Sequence, residues 1–315
     1  MQTTELRPLR AGEMLDRAIT LFVRRFGPIV AVLAIVTVPV TVIEAIVDPR
    51  SAFVFMDFAK LFSSMGDPVA SKHAAETIAR DDRTGAAAYV FLVVAAAVRL
   101  LMWSALVRLV ASAYGGGAES IADAYRVASR RWLSQLVVGL AFLVLGTICA
   151  IPVLIVYVMV VIAVVGLIAL HQMIGAAVAG IIGGLIVLAG VVVIESLVFM
   201  TYELASVAVM TETASPIEAI TTALRRALAP GMKRRSLTGG IVVFLVSQAG
   251  LIPVLALAVL LTATTHVGAL YYAVFGAGTV LLDGIVATFV VVFAVDARVR
   301  REGYDLFASG PVTAA

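Results

Sequence analysis

Three segments of this chain carry an acidic residue seven or eight positions before a pair of adjacent arginines, and each segment leads into two long apolar stretches. The segments span 12–26, 119–133 and 215–228, with Asp16 before Arg24 and Arg25, Asp123 before Arg130 and Arg131, and Glu218 before Arg225 and Arg226. Lipid offers a backbone no hydrogen-bond partners, so apolar stretches of about 20 residues cross a bilayer as helices. The repeat therefore predicts an all-α integral membrane protein. Its six transmembrane helices are expected as three hairpins, each preceded by a cytoplasmic amphipathic basic helix.

Composition supports this class and excludes others. Of the 315 residues, 62% are apolar and 14% are charged, which lies outside the range of soluble globular domains. The net charge is only +3, and the basic residues cluster beside apolar runs, which indicates anionic headgroups rather than nucleic acid as partners. The single cysteine, Cys149, excludes an intrachain disulfide. No motif predicts a cofactor.

The six predicted spans cover 28–47, 86–113, 133–165, 176–210, 237–263 and 269–295. They form one polytopic domain over residues 1–315, with repeat units at 12–113, 119–210 and 215–297, an outer loop at 48–84 and a tail at 298–315. The stretch 133–210 is long enough for a third span or a re-entrant segment. A third span would export the basic cluster at 225–235, so two long spans are preferred.

Charge distribution sets the expected topology. With both termini in the cytoplasm, sixteen of the 23 basic residues lie on the cytoplasmic side. They are Arg7, Arg10, Arg17, Arg24, Arg25, Arg126, Arg130, Arg131, Arg225, Arg226, Lys233, Arg234, Arg235, Arg298, Arg300 and Arg301. Because basic residues favour the cytoplasmic side of a membrane, this orientation is predicted at every connection.

The basic segments are predicted to lie in the membrane interface. Their arginines would contact anionic headgroups, and the candidates are Arg24, Arg25, Arg130, Arg131, Arg225 and Arg226. Leu21, Phe22, Tyr125, Trp132, Ile220 and Leu224 would face the acyl boundary. The alternative is that the arginines only orient the chain.

The outer side carries little recognisable chemistry. Apolar residues at 53–62 surround Asp57 and Lys60, which predicts an amphipathic helix on the outer leaflet, either as a simple cap or as a gate or partner surface. The three histidines, His73, His171 and His266, all fall on this side but have no ligand spacing. No metal site is therefore predicted.

Charges inside the apolar stretches mark the candidate polar site. The helices that run outward contain Pro39, Pro152 and Pro253, whereas those that run inward contain Arg99, Arg108, Glu195, Glu203 and Asp283. Charged groups in hydrocarbon are costly and are expected to face one another or water. We predict Arg99 with Asp283 as the strongest pair and Arg108 with Glu195 or Glu203 as the second. These pairs would either lock the hairpins together or line a polar pathway.

Both ends of the chain resemble a known family. Arg7-Pro8-Leu9, Gly12-Glu13, Leu15-Asp16 and Arg24-Arg25-Phe26 resemble the opening signature of the bacterial glycerophosphoryl diester phosphodiesterase membrane-domain family, and Asp296-x-Arg298-x-Arg300-Arg301-Glu302-Gly303 resembles its close. The resemblance implies a multi-pass protein of the bacterial plasma membrane. Some relatives fuse this region to a soluble phosphodiesterase domain. This chain has no segment long enough for such a domain, and the resemblance therefore implies no phosphodiesterase activity here.

Three functional hypotheses remain open at this point. The leading hypothesis is a non-enzymatic membrane module that acts as a scaffold or lipid-interacting partner of a membrane or cytoplasmic protein. The alternative is a transporter or channel for lipid or a small solute, with a route past the five intramembrane charges. An intramembrane lipid enzyme is third, since no nucleophile or metal constellation stands out. The oligomeric state is left open.

Overall fold

The structure is a computed structural model that describes residues 9–47, 72, 86–265 and 267–302. Within this part of the chain all regular structure is helical, and six helices are long and apolar enough to cross a membrane. The predicted class, an all-α multi-pass membrane protein, is confirmed. The helices are α1 (Ala11–Arg24), α2 (Phe26–Val47), α3 (Ala86–Tyr114), α4 (Ile121–Arg130), α5 (Trp132–Ala169), α6 (Met173–Thr211), α7 (Pro216–Ala227), α8 (Met232–Thr265) and α9 (Gly268–Glu302). The amphipathic segment predicted at 53–62 lies outside the described residues.

The three short helices, α1, α4 and α7, each have an acid at the third helical position, but their first hydrogen bonds differ. The Arg10 N–H donates to Glu13 Oε2 at 2.8 Å, Ser120 Oγ accepts from the Asp123 N–H at 3.1 Å, and Ser215 Oγ accepts from the Glu218 N–H at 3.4 Å. An acid at the third helical position also complements the positive end of the helix dipole. In the first repeat this acid is Glu13, and Asp16 lies one turn further on.

The contacts among the six long helices follow a threefold pseudosymmetric pattern. The second helix of each apolar pair (α3, α6 and α9) contacts the other two, and these three form the centre. Each first helix packs on the second helix of its own pair and on that of the preceding repeat, with α2 on α3 and α9, and α8 on α9 and α6. The corresponding α5 packs closely on α6, but its contact with α3 is thin. The arrangement is therefore least closed between α5 and α3.

The short helices follow the same pseudosymmetry. Helix α4 packs on α3, α7 packs on α6, and α1 packs on α9, so the N-terminal helix completes the third unit. Helix α1 runs antiparallel to α9, since Leu9 contacts Asp296 and Phe22 lies against Gly284. The chain is thus closed into a ring by its two ends.

The apolar faces of the short helices turn into the bundle. Phe22 is buried in the core, and Leu21, Tyr125 and Ile220 pack against the core from its edge. The Tyr125 hydroxyl donates to the Val32 carbonyl at 2.8 Å, and burial raises the pKa of this phenol. The prediction that Phe22 faces acyl chains is therefore wrong. Leu21, Tyr125, Trp132, Ile220 and Leu224 are partly exposed, and for them it stays a prediction. Packing against α9 removes the ring of Phe22 from polar surroundings.

The region 133–210 forms two long helices, as preferred from sequence. Helices α5 and α6 contain 38 and 39 residues and meet at a turn in which His171 has a φ of 60°. At a rise of about 1.5 Å per residue they are about 57 Å long, well beyond the ~30 Å hydrocarbon core. They approach each other closely where Gly183 meets Val160 and Gly190 meets Val153. Away from these contacts, the halves of both helices next to the His171 turn are largely exposed.

Candidate functional site

Four of the long helices contribute polar side chains to one cluster between them. Trp103 Nε1 on α3 donates to Glu203 Oε2 on α6 at 2.9 Å, and Glu203 is only 1% exposed. Arg99 pairs with Glu44 of α2 at 3.4 Å, and both side chains are partly exposed. Asp283 of α9 interacts electrostatically with both Arg99 and Glu203. The cluster therefore contains three of the predicted site residues, Arg99, Glu203 and Asp283, together with Glu44.

The direct Arg99–Asp283 ion pair predicted from sequence is not formed. Among the described ion pairs, Arg99 is joined to Glu44, while Asp283 interacts with Arg99 only at longer range. Helices α2 and α3 pack side by side, so the flexible guanidinium reaches the carboxylate on its neighbouring helix. The depth of a residue in its span, counted from the sequence, does not show whether Arg99 pairs with Glu44 of α2 or with Asp283 of α9.

The predicted partner of Arg108 is also wrong. Arg108 Nε donates to Glu119 Oε1 at 3.0 Å, and its NH1 donates to the Met210 carbonyl at 3.3 Å, so neither Glu195 nor Glu203 is its partner. Met210 lies in the last turn of α6, where helix carbonyls lack intrahelical donors. A cation near that terminus satisfies one of them and helps hold α3 against α6.

Neutral polar residues also lie close to Glu203. The sequence prediction, which used only charged residues, does not include them. Gln135 of α5 is fully buried, and its Nε2 donates to Ser206 Oγ at 2.8 Å and to the Tyr202 hydroxyl at 3.3 Å. Gln135 Oε1 has no hydrogen-bond partner in the described part of the chain. An amide within an apolar run is the sequence signal that marks this position.

The second arginine of each arginine pair donates a hydrogen bond to an acceptor within the protein. Arg25 donates to the Gly117 carbonyl at 3.1 Å, and Arg131 donates to the Val209 carbonyl. Arg226 is 3% exposed and donates two hydrogen bonds of 2.8 Å to Glu212. The burial of Arg226 contradicts its predicted role as a headgroup contact, whereas for Arg25 and Arg131, which are partly exposed, that role stays a prediction. Each lies on the side of its helix that turns toward the end of α3 or α6.

The first arginine of each pair has a different environment. Arg24, Arg130 and Arg225 are exposed, and within residues 9–47, 86–265 and 267–302 none of them makes a hydrogen bond or an ion pair. Their role as headgroup contacts stays a prediction.

The two terminal motifs meet at Asp296, whose side chain is fully buried. Its Oδ1 accepts the Leu9 N–H at 2.6 Å, and its Oδ2 accepts from Arg300 at 2.8 Å and from Arg235 at 3.2 Å. The same two arginines donate to the Leu9 carbonyl at 2.7 Å and 3.1 Å, respectively. We name this group, Leu9, Arg235, Asp296 and Arg300, the terminal clasp. It joins the N-terminal segment to the beginning of α8 and the end of α9.

A long groove runs between α5 and α6 at the surface of the helix bundle. Its volume is about 700 Å³, and Glu195 is the one charged residue that lines it within the described part of the chain. The other lining residues are Gly139, Phe142, Leu143, Gly146, Ala150, Val153, Leu154, Tyr157, Val187, Val191, Ile194, Val198, Phe199 and Tyr202. Between Gly139 and Tyr157 the groove extends about 27 Å along α5, at about 1.5 Å per residue. It is therefore comparable in length with the ~30 Å hydrocarbon core of a bilayer.

The described residues contain no group of three or more His, Cys, Asp or Glu side chains that could hold a metal ion. His171 lies alone in the α5–α6 turn, whereas His73 and His266 lie outside the described residues. The sequence prediction of no metal site therefore stays a prediction.

Comparison of the chain with protein-family models, with curated proteins and with solved structures gave no match, so the family suggested by the two terminal motifs stays an expectation from their residues.

Proposed function

We propose that this protein is a non-enzymatic lipid-binding module of the bacterial plasma membrane, with both termini in the cytoplasm. The observation that carries the proposal is the apolar groove between α5 and α6. A groove of about 700 Å³ has the size of a site for a small or medium ligand.

The surroundings of the groove favour an acyl chain as its occupant. The outer faces of α5 and α6 are exposed and apolar around it, for example at Leu140, Val144, Leu185 and Leu188. In a membrane such faces are surrounded by lipid tails, so lipid molecules are already adjacent to the opening of the groove. An acyl chain in the groove gains close contact with Gly146 and its neighbours that a flat helix surface does not offer.

Filling the groove should displace this lipid. We expect Ala150→Trp, which places a large ring among the lining residues, to weaken retention of a co-purified phospholipid about tenfold. Loss of two methylene contacts at ~0.8 kcal/mol each is enough for that change. Native mass spectrometry of the protein released from lipid nanodiscs measures the retained lipid.

A matched control lies on the same helix. Ala141 is exposed but does not line the groove, so Ala141→Trp adds the same ring to lipid-facing surface and should leave retention unchanged. Equal loss in both variants, or a photoreactive acyl chain that labels residues far from α5 and α6, would refute the proposal. Labelling of the groove by a second protein chain in place of lipid would show that a partner helix occupies it.

A second candidate function, transport, is favoured by the polar cluster. Arg99 and Glu44 are partly exposed in otherwise apolar helices, and ionisable residues in membrane helices commonly mark solute or proton routes. In proteoliposomes, a transporter would lose lipid scrambling or solute flux in the Asp283→Asn variant while retaining its fold. If neither the wild type nor the variant moves lipid or solute, the transport function is rejected for those substrates.

A further inference from the structure

We propose that Arg24, Arg130 and Arg225 form three equivalent sites for the phosphate headgroups of anionic phospholipids, while the arginine that follows each of them is a structural residue. This inference rests on the proposed lipid-binding function and adds the headgroup chemistry. It divides six similar residues into two sets of three.

The equivalence of the three positions follows from the short helices. Ala18, Ala124 and Ala219 are fully buried where α1, α4 and α7 meet the bundle, and each lies six residues before the first arginine of its pair. The three helices pack on α9, α3 and α6, which are related by the same pseudosymmetry. The three exposed guanidinium groups therefore occupy corresponding positions around the bundle.

Adjacent arginines on a helix point about 100° apart, so only one of each pair can face the bundle. The second arginine faces it and is satisfied by Gly117, Val209 or Glu212. The first is left exposed, and no described residue provides it with an acceptor. A guanidinium offers a planar set of donors that matches a phosphate in two-point contact.

An exposed apolar side chain accompanies each exposed arginine. Val23 beside Arg24 is 66% exposed, Leu133 three residues after Arg130 is 69% exposed, and Leu228 three residues after Arg225 is 51% exposed. A cation next to an exposed aliphatic group suits the boundary between headgroups and acyl chains, where both are satisfied. A soluble phosphate would satisfy only the cation, so a lipid is the better fit.

The test compares phosphatidylglycerol with phosphatidylcholine as added lipids for the full-length protein in neutral detergent. We expect the wild type to prefer phosphatidylglycerol, as measured by native mass spectrometry. Arg24→Gln, Arg130→Gln and Arg225→Gln should each weaken binding of the anionic lipid about fivefold, the change expected for one basic residue near an anionic surface. The triple variant should lose the preference. Replacement by lysine should preserve much of it, because the charge remains.

Arg126→Gln is the matched control, since Arg126 is an exposed arginine of α4 that already pairs with Asp123 at 2.7 Å. It should leave the preference unchanged. The proposal fails if the triple variant keeps the preference, if Arg126→Gln removes as much of it, or if millimolar inorganic phosphate competes as well as the lipid does. Ala150→Trp separates the two proposals, because it should lower total lipid retention but leave the ratio of the two lipids intact. If the triple arginine variant changes total lipid retention but leaves the ratio of phosphatidylglycerol to phosphatidylcholine unchanged, only the headgroup sites are refuted.

Discussion

Replacing Asp296 by alanine should lower the free energy of unfolding by about 3–5 kcal/mol, which is the range observed when one partner of a buried ion pair is removed. The carboxylate is fully buried and accepts from Arg235, Arg300 and the Leu9 N–H. Its loss leaves two guanidinium groups without their anion and a buried amide without an acceptor. Reversible unfolding in detergent micelles, or the change in Tm, measures the effect.

Two further variants show whether the clasp itself is responsible. Asp296→Asn keeps an acceptor for Leu9 but removes the charge, so its effect should be intermediate. Arg126→Gln breaks an ion pair whose side chains are 63% and 48% exposed, and exposed pairs contribute at most about 1 kcal/mol. If Asp296→Ala is no more destabilising than Arg126→Gln, the clasp does not hold the ring closed.

The terminal clasp is a part of the fold that the sequence does not predict, whereas the membrane helices are predictable. The six membrane helices follow from apolar runs, because a backbone in lipid has few alternatives to a helix. The contact between Leu9 and Asp296 joins residues 287 positions apart, and nothing in either terminal motif shows that the two ends meet. Likewise, the motif of adjacent arginines is visible in the sequence, but which arginine of each pair faces the bundle depends on how α1, α4 and α7 are rotated against their neighbours.

The polar cluster shows the same limit at closer range. The sequence predicts that Arg99 pairs with Asp283 because the two residues occupy similar depths, and counting residues along a span provides only depth. The structure pairs Arg99 with Glu44 because α2 is the neighbour of α3, and neighbour relations come from packing. Neutral donors such as Trp103 and Gln135 carry no charge signal in a composition this apolar, although they bind Glu203 and Ser206.

Removing the second arginine of the third pair should also be costly. We expect Arg226→Ala to lower the free energy of unfolding by about 2–4 kcal/mol, because Arg226 is buried and donates two hydrogen bonds to Glu212. The loss should be smaller than at Asp296, since Glu212 is partly exposed and keeps Arg298 at 3.8 Å. Arg226→Lys should cost about 1–2 kcal/mol, because an ammonium cannot form the two parallel bonds.

The adjacent residue supplies the control. Arg225 is exposed and makes no described contact, so Arg225→Ala should change stability by no more than about 0.5 kcal/mol. A double-mutant cycle of Arg226→Ala with Glu212→Gln isolates the pair and should give a coupling of about 1–3 kcal/mol. Arg225→Ala should instead weaken anionic lipid binding. We therefore expect Arg226→Ala to lower mainly the stability and Arg225→Ala to lower mainly the preference for anionic lipid. Equal effects of both substitutions on both measurements would mean that the arginine pair acts as one undivided surface charge.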